Sequence, residues 1–135
     1  MERVVVAVDG SDHAKRAVKE ATRIVEDGGV IKIVYVLEYG DVQEEARLVG
    51  SPEEIEARRE EVLGPVIAEM KQLSIPYEVH VLTGDPGETI AQFVERQGDA
   101  VVIGHRGLSG WKKMMLGSVS EYVLHHVTCP VVIVK

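Results

Sequence analysis

The chain has one cysteine, Cys129, in 135 residues, so an intrachain disulfide is excluded. A lone thiol is consistent with a reducing, intracellular compartment. Positive charge is also short, with a formal net charge of -7. An acidic surface is ill suited to a sequence-independent grip on nucleic acid, which needs Lys and Arg against phosphates, and equally to anionic membranes. No apolar run approaches the roughly 20 residues that span a bilayer. Met1-Glu2-Arg3 passes straight into a Val-rich segment that is short and meets Asp9, so it reads as a strand and not as a signal peptide. Nothing in it directs export, and a cytoplasmic location is expected. Two familiar nucleotide motifs are missing as well. No Gly is followed by Lys, so there is no Walker A lysine, and no G-x-G-x-x-G follows the first apolar segment. No second domain, tandem repeat or low-complexity tail shows in the sequence, and a single domain over residues 1–135 is expected.

What the chain does have is a rhythm. Five β-branched runs occupy residues 4–8, 30–37, 77–82, 100–103 and 131–134. Most are apolar almost throughout, which suits strands buried on both faces of a parallel sheet. The segments between them carry a helical period. One stripe is Ala14, Ala17, Val18, Ala21, Ile24 and Val25; a second is Ile55, Val62, Val66, Ile67, Met70 and Leu73. Ile90, Ala91 and Val94 form a third, and Val119, Tyr122, Val123 and Val127 a fourth. Ser51-Pro52-Glu53-Glu54 places a cap, a first-turn proline and a capping-box Glu in order, and Asp85-Pro86-Gly87-Glu88 repeats the arrangement. Ser118 and Glu121 have capping-box spacing, and Gly28-Gly29 and Gly98 stop helices before strands. Gly64-Pro65 falls inside the second pattern, where a kink or two shorter helices are expected. The order βαβαβαβαβ argues for a parallel α/β sheet with right-handed crossovers. Residues 38–50, the longest stretch without clear period, follow the second strand and are expected at the carboxyl edge of the sheet, where ligands bind in such folds.

The informative stretch leaves the fourth strand. It reads Gly104-His105-Arg106-Gly107-Leu108-Ser109-Gly110, continues through Trp111 to Leu116, and ends in Gly117-Ser118 at the start of the last helix. Glycine lets a backbone approach a phosphate closely, and a helix N-terminus offers unpaired N–H groups with a partial positive charge. A Ser hydroxyl there can bond a phosphate oxygen. Two glycine-flanked anchors on one loop can therefore hold the two ends of a phosphate chain.

The pattern Gly104-x2-Gly107-x9-Gly117-Ser118 resembles the ATP-binding signature of universal stress proteins, G-x2-G-x9-G-(S/T). Other segments agree. Val6-Ala7-Val8-Asp9-Gly10-Ser11 looks like the end of that family's first strand, Tyr35-Val36-Leu37-Glu38 like the end of its second, and Cys129-Pro130 with residues 131–134 like its last. The resemblance covers essentially the whole chain. It implies an open, doubly wound, Rossmann-like five-stranded sheet of the adenine nucleotide α-hydrolase type, with order 3-2-1-4-5 and helices on both faces. It implies that Asp9 faces the adenosine near ribose and base. Val36 would meet adenine through its backbone, with Ala7 and Val8 lining the pocket. Gly104, His105, Arg106 and Gly107 would lie along ribose and phosphates. Gly117, Ser118 and Val119 would hold the terminal phosphates, with Ser120 close by. The ligand would be ATP, or ADP, AMP or cyclic AMP, with Mg²⁺ or Mn²⁺ carried on the phosphates. A homodimer through Val131–Val134 and a further protein partner are implied too.

Several residues have a plainer reading beside this one. Asp9 in an Asp-Gly-Ser run can serve as a helix cap, and so can Ser118. Arg106 either pairs with phosphate or is solvated; Lys112 and Lys113 add charge that steers an anion; Trp111 packs on the loop, meets a partner or marks a lid. Cys129 reads as a small buried residue before a proline. His125 and His126 sit where a helix ends and cations are favoured, while His13 and His80 show no evident partner. The acidic run 53–61 reads as a solvated helix face with Arg58 and Arg59 in intrahelical pairs. The function implied is a nucleotide-dependent regulatory module in the stress response. The alternatives are a slow ATPase, for which the sequence offers no distinctive catalytic base, and an interaction scaffold that binds no nucleotide.

Overall fold

Runs of Val and Ile without alternation are stable only where both faces of the strand are covered. The chain meets that condition with helices on each side of one sheet. The computed structural model describes residues 1–38, 50–105 and 116–135. The elements in order are β1 (Arg3–Ala7), α1 (Asp12–Ile24), β2 (Val30–Leu37), α2 (Pro52–Leu73), β3 (Tyr77–Thr83), α3 (Pro86–Gln97), β4 (Ala100–Gly104), α4 (Ser118–His126) and β5 (Val131–Val134). All strand pairs are parallel, in the order β3-β2-β1-β4-β5. The order reverses between β1 and β4, the crevice where ligands sit in folds of this kind.

Side chains leave the strands alternately toward two cores. Val4, Val6 and Val8 of β1 and its end, Ile31, Ile33 and Tyr35 of β2, and Val102 of β4 pack with α1 and α2. Val5, Ala7, Val34, Val101 and Ile103 pack on the other face with Ile90, Phe93 and Val94 of α3 and Val123 of α4. Each fully buried Val contributes about 1.5–3 kcal/mol relative to exposure, so these two layers dominate the stability. No helix among the described residues is long and apolar enough to cross a membrane.

Helix ends follow local chemistry. Ser51 caps α2 in a reciprocal capping box with Glu54, and Asp85 caps α3 by accepting from the Glu88 N–H. Gly98 is the C-cap of α3, but α1 ends at Val25, and Gly28 with φ +84° makes the turn three residues later. Of the kink or division expected at Gly64-Pro65, the division does not occur: α2 runs 22 residues through Pro65. Gly64 lacks the Cβ that would crowd the proline ring. Buried Val62 and Leu63 before the proline, and Val66 and Met70 after it, hold both halves to the same core. Leu73, expected in the buried stripe, is 49% exposed at the last turn.

One charged side chain lies inside the sheet. Lys32 of β2 is 7% exposed and points to the α3 side. Its ammonium donates to Gln97 Oε1 at 3.1 Å and lies 3.8 Å from Glu78 Oε1 on the paired position of β3. His80, without an evident partner in the sequence, meets Glu78 Oε1 at 2.8 Å and packs on Phe93. The His80 hydrogen bond, aided by Lys32, holds the Glu78 carboxyl below the usual carboxylate range against an opposing desolvation.

Candidate functional site

The crevice is built from three chain segments at the carboxyl edge. The first is the exit of β1. Ala7 and Val8 are buried, and the Val8 N–H donates to the Val34 carbonyl at 2.9 Å. A continued parallel ladder would then join the Val36 N–H to Val8 and the Gly10 N–H to Val36. Neither bond is made among the described residues, because β1 turns away at Asp9 and Gly10, where φ is +89°. Val36 therefore presents a backbone donor and an acceptor to the crevice, side by side.

Asp9 does not cap α1. Its Oδ1 accepts the Ser11 N–H at 2.9 Å, closing a local turn, and Ser11 Oγ is the cap, accepting the Ala14 N–H at 3.1 Å. Cap geometry favours Ser11 because it stands directly before the first helical residue, with extended φ and ψ. The second Asp9 oxygen takes no hydrogen bond among the described residues.

The third segment joins β4 to α4. Gly104 is buried, and its backbone is not in the left-handed region; a Cβ there would lie 2.7 Å from the Cβ of His13. The first glycine of the motif thus lets the opening turn of α1 rest directly on the end of β4. His13 also brings its ring to 6.2 Å from that of His105, so the apparent lack of a partner for His13 in the sequence does not hold. The His105 N–H donates to the Val134 carbonyl at 2.6 Å, and its own carbonyl accepts from the Gly117 N–H at 2.9 Å. The chain that leaves β4 at His105 is thereby returned to the same point at Gly117.

Gly117, and not Ser118, is the N-cap of α4; no side chain caps this helix, so the capping box read from Ser118 and Glu121 is not formed. The helix starts one residue earlier than the spacing suggested, leaving the exposed Ser118 hydroxyl free of any hydrogen bond among the described residues. The N–H groups of Ser118, Val119 and Ser120 likewise lack acceptors among the described residues, as at any helix start. Ser120 Oγ is buried and donates to the carbonyls of His105 at 2.9 Å and Gly117 at 3.0 Å. Its proton is committed to closing the loop and is not available to a phosphate.

Arg106, Gly107, Trp111, Lys112 and Lys113, together with residues 39–49, lie outside the described residues. No group of three or more His, Cys, Asp or Glu among the described residues is arranged to hold a metal. Cys129 is half-buried against the α3/α4 core, and burial, with Glu95 nearby, pushes its thiol up. His126 is bonded to the Tyr122 carbonyl at 2.7 Å and stacked on the Tyr122 ring. Sequence reasoning missed Arg58. Besides its intrahelical pair with Glu61, it donates to the Asp9 carbonyl at 2.9 Å, a contact across 49 residues that no local pattern signals.

Comparison with known proteins agrees with this geometry. The model of the universal stress protein family matches residues 1–135. A universal stress protein of Thermus aquaticus is 36% identical over 137 residues, covering 98% of this chain and 97% of the relative. One of Synechocystis is 30% identical over 149 residues, covering 98% and 97%. A universal stress protein solved in complex with cyclic AMP superposes with TM-score 0.69 at 26% identity, over 99% of this chain and 96% of the other. One of Arabidopsis thaliana, solved with AMP bound, gives TM-score 0.68 at 24% identity over 100% and 91%, a likeness of fold. With the parallel sheet in the order 3-2-1-4-5 and a match along its whole length, this chain belongs to the universal stress protein family.

Proposed function

We propose that the protein binds an adenine nucleotide, ATP foremost, in the crevice between β1 and β4 and acts as a nucleotide-dependent regulatory module in the stress response. The observation that carries the reading is the return of the chain at His105. It sets the open N–H groups of Ser118, Val119 and Ser120 beside the end of β4, at the point where strand order reverses. At the other end of the crevice, the N–H and C=O of Val36, unpaired on this side among the described residues, match the adjacent acceptor and donor on an adenine edge. In this reading Ala7 and Val8 line the base and Asp9 takes the ribose side. Gly104, His105, Arg106 and Gly107 run along ribose and phosphates. Gly117, Ser118 and Val119 hold the terminal phosphates, while Ser120 holds the loop closed. Mg²⁺ or Mn²⁺ would be bound through the phosphates. Relatives of this fold solved with AMP and with cyclic AMP support an adenine nucleotide as the ligand class.

Binding rather than turnover is the activity proposed, with slow hydrolysis as its upper limit. Occupancy would change the surface shown to a protein partner. A homodimer through Val131–Val134 is part of the proposal. β5 is an edge strand with four partly exposed aliphatic residues and a ladder side that no other strand pairs among the described residues. The location is taken to be cytoplasmic. Chromatography of small molecules released on denaturation, with thermal melts against ATP, AMP and cyclic AMP plus Mg²⁺, tests the ligand. At 100 times its Kd, a ligand adds about 2.7 kcal/mol of stability. Co-purified nucleotide, or an ATP shift abolished in Gly117→Trp, supports the site. A protein that carries none and shifts with none is a scaffold.

A further inference from the structure

The turn that ends β1 is gripped from outside by a helix distant in sequence. Arg58, in the second turn of α2, is half-buried; its Nη1 pairs with Glu61 Oε1 at 3.0 Å, and its Nη2 donates to the Asp9 carbonyl at 2.9 Å. The contact is close enough to restrict the next residue. A Cβ on Gly10 would meet Arg58 Nη2 at 3.1 Å and Val62 Cγ2 at 3.2 Å. On its inner side the same turn is tied by the Asp9 carboxylate to the Ser11 N–H. Asp9 therefore carries both the carboxylate that the nucleotide reading assigns to the ribose side and the carbonyl that the guanidinium holds. Glu61 orients the planar guanidinium so that neighbouring N–H groups serve both acceptors.

We propose that Arg58 is a positioning residue for nucleotide recognition: it fixes the Asp9-Gly10 backbone and through it the aim of the Asp9 carboxylate. The inference rests on the nucleotide reading above. Arg58 acts through Asp9, from the outer side of the turn. Without the guanidinium the Asp9 carbonyl is left to water, the turn gains freedom, and that freedom must be lost again on binding.

The test is calorimetric titration with ATP and Mg²⁺ of the full chain, of Arg58→Ala, Arg58→Lys and Asp9→Ala, and of the Arg58→Ala/Asp9→Ala pair. Thermal melts confirm that each is folded. Arg58→Ala is expected to weaken ATP about tenfold in the otherwise unchanged chain, and Arg58→Lys by less, since an ammonium still reaches one acceptor. In the Asp9→Ala background the same Arg58→Ala change should cost less than about twofold. An equal loss in both backgrounds overturns the inference, because a direct contact or general charge would act without Asp9. Equal affinity of the unchanged chain and Arg58→Ala overturns it too, while leaving the nucleotide reading intact. If the unchanged chain binds no ATP, that reading fails and the inference falls with it. Should Arg58→Ala not fold, Arg58→Lys in both Asp9 backgrounds carries the same comparison.

Discussion

Replacing Gly104 with alanine separates two explanations for the first glycine of the motif. The added Cβ would stand 2.7 Å from His13 Cβ, 3.0 Å from its carbonyl carbon and 3.2 Å from its oxygen. Carbon atoms prefer about 3.5–4.0 Å, so α1 and β4 would have to part by about 1 Å. Neither yields easily. α1 is pinned by the Ser11 cap, by the buried Ala14, Ala17, Val18 and Ala21, and by Arg16 Nε on the Lys135 carbonyl at 2.7 Å. β4 is paired on both sides, to β1 and to β5. Overpacking of this kind costs about 1–3 kcal/mol, offset by about 0.4–1 kcal/mol because alanine restricts the unfolded chain. The net loss of about 1–2 kcal/mol corresponds to a melting temperature lower by about 3–6 °C at this chain length. Differential scanning calorimetry on nucleotide-free protein reads it directly. An unchanged melting temperature with weakened ATP binding would refute the packing argument and assign Gly104 to the ligand. A fall in melting temperature without ligand supports helix–strand contact as the reason for glycine.

Ser120→Ala removes the buried hydroxyl that joins His105 and Gly117. The expected loss is about 1–2 kcal/mol, seen as an earlier thermal melt. Glu78 has its carboxyl held below the ordinary range, so its ion pairing stabilises the fold above the unfolded carboxylate pKa and is lost as pH falls through the lower folded value. Glu78→Gln should therefore lower the melting temperature most at neutral pH, where the ionised Glu78 contributes fully, and the two profiles should converge as pH falls below the usual carboxylate range of about 4.5. Cys129, half-buried with its thiol pushed up, should react with a disulfide reagent at pH 8 at least about tenfold more slowly than free cysteine, with the difference abolished by denaturant.

Strands and most helix ends were legible because they are written locally. Continuous Val and Ile runs demand two covered faces, and Ser51-Pro52 and Asp85-Pro86 announce helix starts within four residues. The parallel architecture followed from element order, while the strand order came from family resemblance and matches the sheet observed. The continuity of α2 through Pro65 was not legible, since it is decided by burial on both sides of the proline and not by propensity. The caps Ser51 and Asp85 were read correctly, while those that start the first and last helices were one or two residues off. Asp9 and Ser118 yielded to Ser11 and Gly117, because the first helical residue fixes which neighbour can reach. The contacts of Arg58 with Asp9, of His13 with Gly104 and of Ser120 with His105 join residues 15 to 91 positions apart. No periodicity encodes them.

Lys32 has a consequence for how this sheet is assembled. In strands such as β1 and β4, aliphatic on both faces, sliding one residue exchanges one Val for another, and the hydrophobic pattern alone barely distinguishes the two alignments. β2 escapes that degeneracy through one ammonium group. In the observed alignment it finds Gln97 and Glu78; slipped by a residue, it would enter the aliphatic layer beneath α1 and α2 among Val4, Val6 and Val102. A Lys32→Met chain should keep its secondary structure but lose uniqueness, showing broadened amide resonances along β2 and β3. The one misfit in the sheet is then its alignment mark, the residue that tells two nearly equivalent assemblies apart.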